Sequence, residues 1–178
     1  MFKKILSNKA YPVVFLAIIV IVSVVLLMVV NSITSPIVKN MQVEEIENTL
    51  RSIFPEMSEY DELEDEVYII YEDGEKAGYA FMASGSGYGG NIDILVGLDS
   101  GFGIKGVSIL SQTETPGVGN KITESSFTDQ FKGLSASDIA LKSEGGKIDA
   151  ITGATISSRA VVDAVKEKMV EILESLEK

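Results

Sequence analysis

Hydrophobic positions follow three rhythms along this chain. Val13 to Val30 is an apolar run of eighteen positions interrupted only by Ser23. Counted from Tyr11 it reaches twenty, the length of a helix crossing a ~30 Å hydrocarbon core. There a backbone satisfies its polar groups by being helical. Pro36 is expected to close this segment. Val43, Ile46, Leu50 and Ile53 then recur at spacings of 3, 4 and 3, one face of an amphipathic helix stopped at Pro55. Next come four strand-like stretches: Val67 to Tyr71, Ala77 to Ala83, Ile92 to Leu98 and Ile104 to Leu110. They pair around the turn signals Asp73-Gly74 and Asp99-Ser100-Gly101. The helical rhythm returns in a short helix around Ser126 to Phe131 and a long one from about Arg159 to Leu176. The long helix carries Val161, Val165, Met169, Ile172 and Leu176 on one stripe.

Strands flanked by helices at either end, without βαβ alternation, predict an α+β fold with an antiparallel sheet. The expected organisation is residues 1–10 as a cytoplasmic N-terminus, 11–30 as a transmembrane helix, 31–66 as a helical connector with an acidic linker, and 67–178 as one folded domain. Residues 56–66 hold seven acids, Glu56, Glu59, Asp61, Glu62, Glu64, Asp65 and Glu66. They read as a solvated connection, with a docking surface as the alternative. The stretch after Phe131, rich in Ser, Gly and Lys, reads as a linker.

Charge gives the apolar run a direction. Lys3, Lys4 and Lys9 make the first ten residues +3, and no charge follows until Lys39. With −11 overall, the remainder carries −14. The positive flank places the N-terminus in the cytoplasm of a single-pass membrane protein and the acidic domain outside the cell (inner) membrane. A cleaved secretory signal is the competing reading, but this core exceeds the ~7–15 residues such signals use. A chain this acidic does not bind nucleic acid through a basic surface. With no Cys and no His, disulfides, thiol nucleophiles, Cys/His zinc sites and imidazole bases are excluded, as are the usual ligands of iron–sulfur clusters and haem. The absence of Cys also excludes lipidation at a lipobox.

Ser/Thr and carboxylate chemistry, an oxygen-ligand metal, an organic cofactor or no chemistry remain, and three stretches could serve. Ser84-Gly85-Ser86-Gly87-Tyr88-Gly89-Gly90 admits close backbone approach. Lacking a Lys and a following helix, it is not a P-loop; a flexible connection is the plainer reading of it. Glu114-Thr115-Pro116-Gly117-Val118-Gly119-Asn120-Lys121 sets an acceptor and a hydroxyl beside a Pro-Gly turn, suited to the edge of a flat polar ring or to a plain solvent turn. Asp149-Ala150-Ile151-Thr152-Gly153-Ala154-Thr155-Ile156-Ser157-Ser158 stands before the last helix. Its small residues leave Thr155 accessible, Ser157 and Ser158 sit where an N-cap is wanted, and a helix N-terminus favours a phosphate. A capped helix start alone accounts for the same residues.

The pattern Asp149-x-x-Thr152-Gly153-Ala154-Thr155 resembles the covalent flavin-attachment motif of the FMN-binding domain family. That family includes the G subunit of the Rnf complex and the C subunit of the sodium-translocating NADH:quinone reductase. The N-terminal anchor, the Tyr88-Gly89-Gly90 loop, and Glu114-Thr115-Pro116-Gly117 ahead of Phe127 and Phe131 extend the resemblance over essentially the whole chain. It implies that 67–178 is an extracytoplasmic FMN-binding domain and that a flavin transferase joins FMN through its phosphate to Thr155. It implies that Asp149 is the acid the transferase requires. Gly153, Ala154 and Ile156 would lie at the phosphate and ribityl chain, Thr152 and Ser157 would be cofactor-binding as well, Glu114 and Thr115 would face the ring, and Tyr88 would lie near its edge. No metal and no catalytic side chain are expected. The compact length is more similar to the Rnf protein. The expected role is an electron carrier within that complex, working with its other membrane and peripheral subunits, in ferredoxin:NAD oxidoreduction coupled to Na+ or H+ translocation. The quinone-reductase counterpart, a lone extracytoplasmic flavoprotein and a non-redox anchored binding or sensor module are the alternatives. A pilin-like protein is disfavoured, because Val13 to Val30 holds no acid.

Overall fold

The computed structural model describes residues 11–63 and 66–176, with the side chains of 11, 12, 33–42 and 176 excepted. Lys3, Lys4, Lys9, Glu64 and Asp65, and the side chains of Lys39 and Leu176, all used above, therefore lie outside what is described. The chain forms two compact units, residues 1–44 and 45–178.

The first helix, α1 (Tyr11–Ile53), begins in the first unit. Val13–Ser32 within it has a mean hydropathy of 3.6, and its large apolar side chains are exposed on every face. By length and composition this segment can cross a membrane. Pro36 does not end the helix, which is unbroken through it. A proline removes one amide donor, and helix-compatible residues on both sides carry the ladder past it.

In the second unit the end of α1 packs on a five-stranded antiparallel sheet in the order β1-β2-β3-β4-β5. The strands are β1 (Glu59–Glu62), β2 (Val67–Glu72), β3 (Glu75–Ser86), β4 (Asn91–Asp99) and β5 (Ile104–Ser111). The predicted turns form as expected. Asp73 and Gly74 have φ of 52° and 82°, the left-handed pair a two-residue hairpin needs. Asp99 Oδ1 accepts the amides of Gly101 and Gly103 at 2.8 and 2.9 Å, closing the next turn. The acid-rich run is not connection throughout, because β1 lies in it and pairs with β2 from Glu59↔Tyr71 to Glu62↔Tyr68. Its alternation is faint in the sequence because only Tyr60 turns partly inward.

The sheet buries both faces. On one, Leu50, Phe54 and Met57 pack against Tyr68, Ile70, Ala80 and Leu95. Val43 does not join this face and is exposed, so the buried stripe of α1 starts at Ile46. On the other, a larger core joins Phe81, Ile92, Ile94 and Val96 to α3 (Thr155–Leu176) through Val161, Val165, Met169 and Ile172. Each such aliphatic side chain contributes roughly 1.5–3 kcal/mol on burial. The short helix α2 (Ser125–Thr128) and the turn after it bury Phe127 and Phe131 edge to face, 5.7 Å between centroids. The stretch read as a linker is pinned instead: Leu134, Ile139, Leu141 and Ile148 are buried, and Leu141 bridges Ile148. Four apolar anchors among polar residues suffice to fix it.

Candidate functional site

The last helix starts at Thr155, four residues before the expected Arg159. Gly153 makes the entry possible with φ +81°, a conformation costly for any residue with a Cβ. The Ser158 amide donates to the Ala154 carbonyl at 2.9 Å, the first bond of the helical ladder. Neither serine is a cap at the helix start. The Ser158 hydroxyl accepts the Ile151 amide at 3.0 Å and donates back to the Ala154 carbonyl at 2.9 Å, sewing the loop to the first turn. The Ser157 hydroxyl donates to Glu114 Oε2 at 2.5 Å. A serine inside the first turn reaches what a cap residue cannot.

Glu114 is the hub. It is buried, its Oε1 accepts the Gly89 amide at 2.9 Å, and its own amide donates to Gln112 Oε1 at 2.6 Å. Its carboxylate therefore ties the β3–β4 turn to the first turn of α3. The Gly-rich segment is not a flexible connection: Ser84 to Ser86 belong to β3, and the Gly87 amide donates to the Gly90 carbonyl at 2.8 Å. The group that approaches its backbone is Glu114 itself. A Cβ on Gly87 would stand 2.2 Å from Oε1, and one on Gly119 would stand 2.5 Å from Oε2. After Pro116-Gly117 the chain doubles back, with the amides of Val118 and Asn120 donating to the Thr115 carbonyl at 3.2 and 3.3 Å.

These segments enclose an open cavity of about 420 Å³, within the range of small-ligand sites. Of the residues expected at the site, Tyr88, Glu114, Thr115, Gly153, Ala154, Thr155, Ile156 and Ser157 line it together. Asp149 and Thr152 do not line it. Asp149 is exposed and paired with Lys142 Nζ at 2.6 Å, while its amide donates to Gln130 Oε1 at 2.7 Å. Thr152 is exposed in the preceding loop. Val118 and Gly119 complete the lining without having been expected as site residues. The signal for them was a second Gly two residues beyond the Pro-Gly turn, which marks a returning loop packed close to something.

The site has a polar floor and an apolar rim. Thr155 is exposed, and its hydroxyl has no hydrogen-bond partner among the described residues. The amides of Thr155, Ile156 and Ser157 precede the helical ladder and have no backbone acceptor among the described residues, which leaves donors and positive dipole for an anion. Tyr88, Val118 and Ile156 stand exposed at 74%, 41% and 54%, apolar surface for the face of a flat ring. No group of three or more carboxylates is placed to hold a metal ion among the described residues. This donor set fits a phosphate-bearing aromatic cofactor: the amides and the Thr155 hydroxyl for the phosphate, the rim for the ring.

Comparison with known proteins agrees with that reading. Residues 87–169 match the FMN-binding domain family. The chain is 36% identical to the G subunit of the ion-translocating oxidoreductase complex of Methanosarcina acetivorans, over 71% of this chain and 74% of the relative. It is 32% identical to the G subunit of the proton-translocating ferredoxin:NAD(+) oxidoreductase complex of Clostridium ljungdahlii, over 85% of this chain and 84% of the relative. Among solved structures, the C subunit of the Na(+)-translocating NADH-quinone reductase from Parabacteroides distasonis aligns with a TM-score of 0.49 at 27% identity, over 57% of each chain. On these sequence relatives, the chain belongs to the G subunits of ion-translocating oxidoreductase complexes, within the FMN-binding domain family.

Proposed function

We propose that this chain is the electron-relay subunit of a membrane-bound complex that couples ferredoxin:NAD oxidoreduction to translocation of Na+ or H+, and that its FMN is joined through phosphate to the Thr155 hydroxyl. The observation that carries the reading is the unbonded Thr155 hydroxyl at the first residue of α3, beside unpaired first-turn amides and inside the cavity. When bound, FMN supplies the one-electron chemistry that the side chains lack. The residues hold and present it. The amides of Thr155, Ile156 and Ser157 neutralise the phosphate, and the Gly153–Ala154 backbone leaves space next to it. Tyr88, Val118 and Ile156 keep the ring at the surface, within reach of redox partners on other subunits. The naming of the Clostridium relative supports ferredoxin and NAD as the terminal couples.

Asp149 and Thr152 act in maturation, outside the pocket. Exposed and just ahead of Thr155 in the chain, they offer a flavin transferase a polar handle that does not compete with the cofactor for space. Val13–Ser32 anchors the chain, and Lys3, Lys4 and Lys9 against Lys39 set the N-terminus in the cytoplasm and the FMN-binding domain outside. The test is in-gel flavin fluorescence of the denatured full chain, co-expressed with a flavin transferase, beside Thr155→Ala. A fluorescent band that vanishes in the variant is expected. A dark wild-type band, or a variant as bright as wild type, rejects attachment at Thr155.

A further inference from the structure

We propose that Glu114 is a positioning residue whose buried charge lowers the reduction potential of the flavin beside it. The inference rests on the pocket holding flavin, as argued above. Glu114 is 5% exposed and lines the cavity. Its two carboxylate oxygens face two donors, the Gly89 amide and the Ser157 hydroxyl, so the site calls for an acceptor-only group. Both donors are neutral. No Lys or Arg is paired with Glu114 among the described residues. The charge is thus hydrogen-bonded but not cancelled. Room is kept for it from two sides, because Gly87 and Gly119 lack the Cβ atoms that would collide with its oxygens.

A buried, uncancelled charge acts on its neighbours with little screening. Each electron accepted by a ring in this cavity adds negative charge close to the Glu114 carboxylate and is opposed by it. The same carboxylate holds Tyr88, next to Gly89, and Thr155, in the turn of Ser157, on their walls of the cavity. Position and potential are therefore set by one side chain, and the two roles separate by substitution.

Glu114→Gln removes the charge and keeps the shape. Ser157→Ala breaks the same Glu114–Ser157 hydrogen bond and keeps the charge. Asp163→Asn removes an exposed acid of α3 and gives the same change in net charge at a distance. The full-length flavinylated proteins are titrated by spectroelectrochemistry, with flavin content read by in-gel fluorescence. The flavin midpoint should shift upward in Glu114→Gln, should not rise in Ser157→Ala, and should match wild type in Asp163→Asn. Glu114→Met removes the charge without adding a donor and gives the same readout where the amide variant does not fold. An unchanged or lowered midpoint in the charge-removing variants overturns the inference, as does an equal rise in Ser157→Ala, which would show loosening rather than charge at work. A wild-type chain that takes up no flavin fails earlier and rejects the cofactor reading itself.

Discussion

Gly119 stands where a methyl group has no room. An added Cβ would lie 2.5 Å from Glu114 Oε2 and 2.9 Å from Glu114 Cβ, with the Ser157 hydroxyl at 3.1 Å. Gly119→Ala therefore pushes the buried carboxylate off its donors. Overpacking costs about 1–3 kcal/mol, and urea denaturation of the variant should show a loss in that range together with reduced flavin content. Gly117→Ala makes a useful contrast, since nothing stands near its Cβ and only its φ of +77° is strained. At this scale much of the site was legible. The Asp149 to Thr155 motif and the Glu114-Thr115-Pro116-Gly117 loop were recognisable as text, and Gly153, Ala154 and Thr155 of the one meet Glu114 and Thr115 of the other around one cavity. What Glu114 does was not legible. A carboxylate beside a turn looks the same whether it faces a ligand or ties Gly89 to Ser157, and those partners lie 25 and 43 residues away. Ser157 looks like a cap in the sequence for the same reason, its partner being invisible to any local rule.

At the scale of elements, α3 is the strut on which the site rests, since its first turn carries Thr155 and the rest of it is bolted to the sheet. Met169 is fully buried in that seam. Met169→Ala should cost about 2–5 kcal/mol through lost burial and the cavity left behind. Glu167→Ala, on the outer part of the same helix, should stay within about 0.5 kcal/mol. Chemical denaturation of the two separates a strut from a surface helix. The strands and the stripe of α3 were legible because a period of two and a period of 3.6 survive without knowledge of neighbours. Pro36 misled, since it marks a helix end only on average. The 132–148 stretch misled because its apolar residues are isolated and recur with no period, and tertiary packing alone orders them. The acidic β1 was hidden in the same way. Short and charged at the sheet edge, it also discourages edge-to-edge pairing with other chains.

For the whole molecule, acid and alkali act through different groups. Burial is the main cause that pushes the Tyr68 phenol up to about 12, with Glu62 and Glu66 adding to it. The folded chain thus keeps a proton that the unfolded chain releases from about pH 10. Stability is intact below that pH and falls as the pH rises toward 12, by about 2 kcal/mol at most. Urea midpoints at pH 9 and 11.5 should fall further in wild type than in Tyr68→Phe, and parallel falls would refute the assignment. In acid the sense reverses. Lys147 and Ser135 hold the Asp138 carboxyl below its ordinary range. Its contribution is present above the normal carboxylate pKa and disappears as the pH drops through the lowered value.

The span of the Glu114 tie has a consequence for the order of biosynthesis. Gly89, Glu114 and Ser157 meet only after the sheet has closed and α3 has docked on it. A nascent or misfolded chain carries the same Asp149 to Thr155 text but not the cavity behind it. With FMN joined at Thr155 as proposed, attachment would follow folding, and a flavin-bearing chain would be one whose hydrophobic core was assembled first.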